Sequence, residues 1–388
     1  MFDAPFVYLD HSATTPVADE VLEAMLPFFG ERFGNASGAY GAGRRARAAL
    51  EEARATVAEV LACRPREVVF TSGGTESDNL ALRGVAAAPR ARGRGAHLVT
   101  TSVEHKAVLA TAHELEAREG FSCTVVEVDG HGRVDPEAVL DAVRADTALV
   151  SVMLANNEVG TLQPVAEIGA LLRERGVPFH TDAVQAAAWL AFDVDALGVD
   201  LLSLSAHKFY GPKGVGVLYV REGTDVRALQ TGGGQEGGHR AGTENVAGAV
   251  GLAAALRLAA AEREAASRRL TALRERLVSR LTALPGVRLT GHPAQRLPGH
   301  ASFCVDGARA DALLLGLDLR GICASSGSAC SSGRVEASHV LTAMGVPADE
   351  AVGALRFSMG RSTRAADVDR VLEVLPPLIE RLRALEPA

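Results

Sequence analysis

An α/β fold built around a mainly parallel sheet is what this sequence predicts, and three observations predict it. Short β-rich runs alternate with helical periods through the first half of the chain, which implies strand–helix–strand crossovers with helices on both faces of one sheet. At 388 residues the chain exceeds one ordinary domain, so a second unit is expected. Hydrophobic residues at 47% and charged residues at 22% are close to soluble globular averages, which excludes disordered, collagen-like and coiled-coil chains.

The elements follow in order. Thr15-Pro16 reads as the N-cap and first turn of a helix whose Val17, Val21, Leu22, Met25, Leu26 and Phe29 recur at helical spacing. A second helix over 44–62 leads into a strand over 67–70. Further strands are expected over 97–101, 123–128, 148–153, 177–181, 200–205 and 215–220, most of them separated by helical segments such as 165–176. That makes seven strands, and ligands of such sheets sit at the carboxyl ends of strands. The run 244–284 is rich in Ala, Leu, Glu and Arg and reads as one very long helix or a broken one, with a domain boundary near residue 260. Shorter strands over 287–290, 302–305 and 355–358 and a helix over 365–385 complete a smaller α/β domain.

Charge narrows the function classes. Forty Lys and Arg stand against 47 Asp and Glu, a net −7 with no dense basic stripe, so no direct nucleic-acid partner is expected. No uncharged apolar run of about 18 residues occurs, and the start MFDAPFVYLD lacks the basic and apolar regions of a signal peptide; a cytoplasmic protein without membrane contact is expected. The five cysteines, at 63, 123, 304, 323 and 330, form no C-x-x-C pair, which argues against a disulfide framework and a zinc knuckle; no metal ligands are expected. Only three lysines are present, Lys106, Lys208 and Lys213, so any chemistry that needs a lysine amine has three candidates.

Three segments carry chemistry. Val68 to Ser77 (VVFTSGGTES) is a strand, a small-residue turn and a helix start, which reads equally as a tight turn or as an anion cradle of amides and hydroxyls. It matches neither nucleotide-binding glycine pattern. In FHTDAVQ (179–185), Asp182 stands where an apolar strand ends; it reads as a helix N-cap or as the partner of a ring nitrogen that must stay protonated, as in pyridoxal phosphate (PLP). In SLSAHKFYGPKG (203–214), Lys208 follows a strand of Leu and Ser, where partial desolvation lowers the pKa and favours Schiff-base chemistry. Lys213 reads as a turn residue and Lys106 as solvated.

Together with YLDHSATTP (8–16), SVEHKAVL (102–109), ANNEVGTLQP (155–164), RAGTENV (240–246), SSGSACSSG (325–333) and LRFSMGR (355–361), these segments resemble the motif set of the NifS/IscS-type cysteine desulfurases, class-V aminotransferases with the fold type I architecture of PLP enzymes. The resemblance implies a large PLP-binding domain over 17–260 and a small domain formed by 1–16 and 261–388 that carries a catalytic cysteine loop. It implies Lys208 as the Schiff-base lysine, Asp182 at the pyridine nitrogen and His105 stacked on the ring. Gly74, Thr75, Ser205 and His207 match phosphate-binding positions, Thr243 one supplied across a homodimer interface, Asn157 and Gln185 positions near the ring hydroxyl, and Arg356 the clamp on the substrate carboxylate, with Asn157 beside the substrate. Cys330 matches the nucleophile; the other four cysteines sit in or beside apolar segments and read as small core residues. The sequence departs from the family at Ala36, Gly38, Tyr40 and Gly237.

The activity so implied converts L-cysteine to L-alanine and passes its sulfur through Cys330 to an acceptor protein, an iron–sulfur scaffold or a tRNA-thiolation protein. The competing readings are selenocysteine lyase or aminotransferase on the same fold, and a non-catalytic scaffold. A loop thiol is not needed by an aminotransferase, and a scaffold would be marked by loss of Lys208, Asp182 or Cys330.

Overall fold

The computed structural model describes residues 6–90, 95–327 and 337–385. Its central sheet contains β2 (Val68–Thr71), β3 (His97–Thr101), β4 (Ser122–Val126), β5 (Thr147–Ser151), β6 (Phe179–Asp182), β7 (Leu201–Ser205) and β8 (Gly216–Val220), in the order β2-β8-β7-β6-β5-β3-β4. A two-residue strand, β1 (Val7–Tyr8), precedes them. All neighbours are parallel except β8, which runs antiparallel to both β2 and β7. The seven expected strands are therefore all present, with ends shifted by a residue or two. Gly216 is needed where β8 crosses the turn after β2: a Cβ there would stand 2.6 Å from the Leu204 carbonyl oxygen and 2.7 Å from the Gly73 backbone.

Both faces of the sheet are covered, as parallel strands require. One face, with Val150, Phe179, Leu202 and Leu204, packs under helices that include 41–61 and 246–281. The other, with Val69, Leu98, Leu149, Leu201 and Leu218, packs under helices 74–90 and 106–119. Along this second face the side chains change character toward the carboxyl ends, from Leu149 to Ser151 on β5 and from Leu201 to Ser203 and Ser205 on β7. His180 and Asp182, two residues apart on β6, lie on the same face. A buried polar patch thus sits between the sheet and helix 74–90.

The second core gathers β9 (Val287–Thr290), β10 (His300–Val305) and β12 (Ala354–Ser358) in an antiparallel sheet, while β11 (Ile322–Cys323) pairs in parallel with β1. Helix 365–385 packs here, and so does Leu9. The long helix is unbroken over Val246–Leu281: Ala249 to Ala259 serve the first core, and Leu270, Leu277 and Leu281 the second. Strong helix formers, with no proline, carry it across.

The first expected helix is corrected. It begins at Asp19, continues to Met25 and ends as a 3₁₀ turn over Leu26–Phe29. Thr15 does not cap it, because its amide and hydroxyl both bond the His207 carbonyl, at 2.8 and 3.0 Å, and its hydroxyl accepts from the Tyr210 amide at 2.7 Å. Val21 and Met25 are buried, whereas Leu22, Leu26 and Phe29 are 46, 56 and 67% exposed, so only half of the apolar period faces the core.

Candidate active site

Chain segments leaving the carboxyl ends of β2, β3, β5, β6 and β7 converge on one cavity of about 220 Å³. Gly74 and Thr75 open helix 74–90; Asn157 lies in the loop after β5; Asp182 ends β6; and Gln185, Ser205, His207 and Lys208 complete the wall together with His105. Nine of the residues named from the sequence are therefore brought together. Gly74 is required, since a Cβ would meet Val184 Cγ2 at 2.8 Å; the helix start can then sit beside the end of β6 with its free amides turned toward the cavity end.

Lys208 lies at the end of a 3₁₀ turn after β7. Its ammonium donates to the carbonyls of Ser12 and Ala13, at 2.5 and 2.7 Å, and Gln185 Nε2 donates to the same Ser12 carbonyl at 2.9 Å. Burial pulls the Lys208 amine down to about 8, with Arg356 acting in the same sense and Asp10 and Asp182 opposing. Asp182 is buried and accepts from the Val184 amide at 2.9 Å. Burial raises its carboxyl, against the pull of His105 and Lys208. His207 is driven down to about 4 by burial and the nearby lysines, and its Nδ1 meets the Thr14 hydroxyl at 3.1 Å. His105 caps helix 106–119: Nδ1 accepts from the Ala107 amide at 3.1 Å, which assigns the ring proton of the neutral form to Nε2.

Arg356 lies outside that wall, on β12, 4% exposed. One terminal nitrogen binds Asp10 Oδ1 at 2.6 Å and the other the Asn157 carbonyl at 2.8 Å, while buried Nε has no hydrogen-bond partner among the described residues. Thr243 is not part of the cavity wall. Cys330 lies outside the described residues. The segments flanking it are anchored at this end of the molecule: Ser325 exchanges backbone hydrogen bonds with Arg356 at 2.6 and 3.1 Å, Ser338 donates to Glu158 at 2.5 Å, and His339 meets the Glu104 carbonyl at 3.0 Å. Burial pushes the described thiols up, Cys63 to about 12 and Cys123 and Cys304 to about 11. Only Cys304 is fully buried; Cys63, Cys123 and Cys323 are half-buried.

The wall also contains Asp78, Met153 and Val184, and buried Glu104 and His180 lie behind it, none of them singled out by the sequence pattern. Asp78 had a usable signal: it follows Gly74 by four residues and so shares its helix face.

An aminotransferase class-V model matches residues 7–371. The cysteine desulfurase IscS of Methanosarcina thermophila is 50% identical over 381 residues, covering 98% of this chain and 94% of that one. The chain belongs to the class-V aminotransferase family, among its cysteine desulfurases. A cysteine desulfurase of Cereibacter sphaeroides is 48% identical, with 98 and 97% of the two chains covered. Among solved structures, a NifS-like protein superposes with a TM-score of 0.89 at 39% identity over 98 and 99% of the chains, and SspA in complex with cysteine with 0.80 at 37% over 91 and 98%. The fold type I expectation stands with these family members. No described helix is long and apolar enough to cross a membrane.

Proposed function

We propose that this cavity holds PLP and that its residues use the cofactor to take sulfur from L-cysteine and deliver it to Cys330. The observation that carries the reading is the placement of Lys208, Asp182 and a helix start around one cavity. An amine pulled down to about 8 is suited to an aldehyde, a buried carboxylate to a protonated ring nitrogen, and helix amides with hydroxyls to a phosphate. Gly74, Thr75, Ser205 and His207 would hold the phosphate, Asp182 the ring nitrogen, Gln185 and Asn157 the ring hydroxyl, and His105 the ring face. When bound, the cofactor supplies an electron sink for the α-carbon of an amino acid.

The chain's own residues do the rest. Arg356 grips the substrate carboxylate, and its buried Nε, which has no hydrogen-bond partner among the described residues, offers the donor that an incoming carboxylate needs. Lys208, released from its carbonyl partners, removes the α-proton as a neutral amine. The Cys330 thiolate attacks the substrate sulfur: a sulfur–sulfur bond forms, the Cβ–S bond breaks, and a proton returns to carbon. L-Cysteine and one thiol become L-alanine and one persulfide, with no outside oxidant. The outer sulfur then passes to an acceptor protein of iron–sulfur assembly or tRNA thiolation in the cytoplasm. We assign the catalytic loop to a small domain, 1–16 and 261–388, and the cofactor site to a large domain, 17–260, with the long helix running through both. Purified protein given L-cysteine and a thiol reductant tests the reading: equal amounts of alanine and sulfide support it, and pyruvate or a keto product without sulfide rejects it.

Arg356→Ala is expected to bind cysteine roughly 100-fold more weakly, the equivalent of about 3 kcal/mol for a charge-assisted pair, with PLP retained. Arg356→Lys should recover little, because a lysine lacks the planar fork. Cysteine titrations followed by cofactor absorbance measure this, and unchanged titrations remove Arg356 from the site.

A homodimer is the proposed assembly, with Thr243 completing the phosphate site of the second copy. Support comes from the large apolar side chains left bare on one stretch, Phe29, Phe33 and Tyr40, at 67, 76 and 61% exposed. Light scattering should give twice the mass of one chain, and a fully active monomer would rule the assembly out.

A further inference from the structure

Beneath the cavity wall lie more carboxyls than the proposed chemistry uses. Asp78, on helix 74–90, is 1% exposed and lines the cavity, and its Oδ1 has no hydrogen-bond partner among the described residues. One oxygen of Asp78, one of Asp182 and one ring nitrogen of His105 lie within 4.8 Å of one another. Two carboxylates that close, both buried, cannot both be ionised near neutral pH; one must keep a proton. The surroundings decide which.

From β6, Asp182 accepts a backbone amide hydrogen bond and faces the cationic Lys208 from the turn after β7 and His105 from the loop before helix 106–119. A His105 ring nitrogen lies within 4.8 Å of Asp78 as well, but no basic group pulls the Asp78 carboxyl down as Lys208 and His105 pull that of Asp182. Asp78 faces the Ser203 hydroxyl on β7, Asp182 on β6 and Glu104 from that same loop, and burial with both carboxyls pushes it well up. Its nearest ring is His180 on β6, whose Nε2 stands 3.7 Å from Asp78 Oδ1. That imidazole is spent on hydroxyls, with Nδ1 at 2.8 Å from Ser151 and Nε2 at 3.0 Å from Ser203, and burial drives it down to about 3, so it is neutral. Glu104 is itself pushed up to about 8 by burial. Burial, Asp182 and Glu104 therefore favour the protonated acid at Asp78, against the single opposing pull of the Ser203 hydroxyl, while Asp182 has the basic neighbours that favour the anion.

We propose that Asp78 is the proton-carrying member of this buried carboxyl pair, a positioning residue that leaves Asp182 as the single anion facing the cavity. Were the proton shared between the two carboxyls instead, part of the Asp182 population would present a neutral acid to the ring nitrogen. That consequence rests on the reading of the cavity as the PLP site; the protonation itself does not.

Infrared difference spectra of the apoprotein at neutral pH test it, through the carbonyl stretch of protonated carboxylic acids. Wild type should show one such band from Asp78 and a second from Glu104, the latter assigned by Glu104→Gln. Asp78→Asn is expected to remove the first band and Asp182→Asn to leave it. A band that survives in Asp78→Asn and vanishes in Asp182→Asn overturns the proposal. So does a Glu104→Gln protein with no protonated carboxyl left, which needs no change at Asp78 and so stands even if Asp78→Asn fails to fold. PLP uptake by the same apoproteins separates proton from charge: Asp78→Asn, a neutral isostere, should stay within about threefold of wild type while Asp182→Asn loses about tenfold or more, one pKa unit's worth of interaction. A tenfold loss in a folded Asp78→Asn overturns the proposal. If wild type takes up no PLP, the cofactor reading fails while the infrared result stands.

Discussion

Lys208→Ala is expected to cut alanine formation by about 10³-fold or more, since general acid–base catalysis alone contributes roughly 10²–10⁴ and no other lysine lines the cavity. The wild-type amine should also reveal its burial through pH. Held at about 8, it is protonated and unreactive toward an aldehyde below that pH and neutral above it. PLP uptake by wild-type apoprotein should therefore fall by roughly tenfold per pH unit below about 8 and level off above it, whereas a solvated lysine would level off only near pH 10. Borohydride reduction followed by peptide mapping should place the cofactor on Lys208. A label on Lys106 or Lys213 would overturn the assignment.

The other large effect belongs to Cys330. Cys330→Ser should load PLP and bind L-cysteine as wild type does, yet release alanine and sulfide at the level of the assay blank. A serine hydroxyl is close to the thiol in shape but does not ionise near neutral pH and cannot carry a persulfide. The four other thiols make the contrast: burial keeps Cys63, Cys123 and Cys304 at about 11 or above and raises Cys323, so at neutral pH they are protonated. Changing each to Ala should leave turnover largely intact.

What the sequence made legible follows from periodicity and from strand ends. Buried parallel strands are continuous apolar runs, and a charged residue that ends one, such as Asp182, or follows one closely, such as Lys208, stands out against them. The alternation in HTD on β6 and LSLS on β7 likewise marks a polar face. Less legible were contacts between distant segments. Thr15 and Pro16 look like a helix start, but the Thr15 hydroxyl is taken by residues almost 200 positions away. The partner of Arg356 is Asp10, 346 residues earlier, and nothing local announces it. Asp78 reads as an ordinary polar residue on a helix, and only the packing of that helix onto the carboxyl ends of β6 and β7 turns it inward. Leu22, Leu26 and Phe29 show the reverse: their period predicts burial that one chain does not supply.

Sulfur transfer from L-cysteine to Cys330 is the step that sets the proposed reaction apart. Mass spectrometry of wild-type protein after brief exposure to L-cysteine, digested without reductant, reads that transfer directly. One added sulfur is expected on the peptide containing Cys330 and none on the peptides of Cys63, Cys123, Cys304 or Cys323. An added sulfur on one of those four, with the Cys330 peptide unchanged, would contradict it.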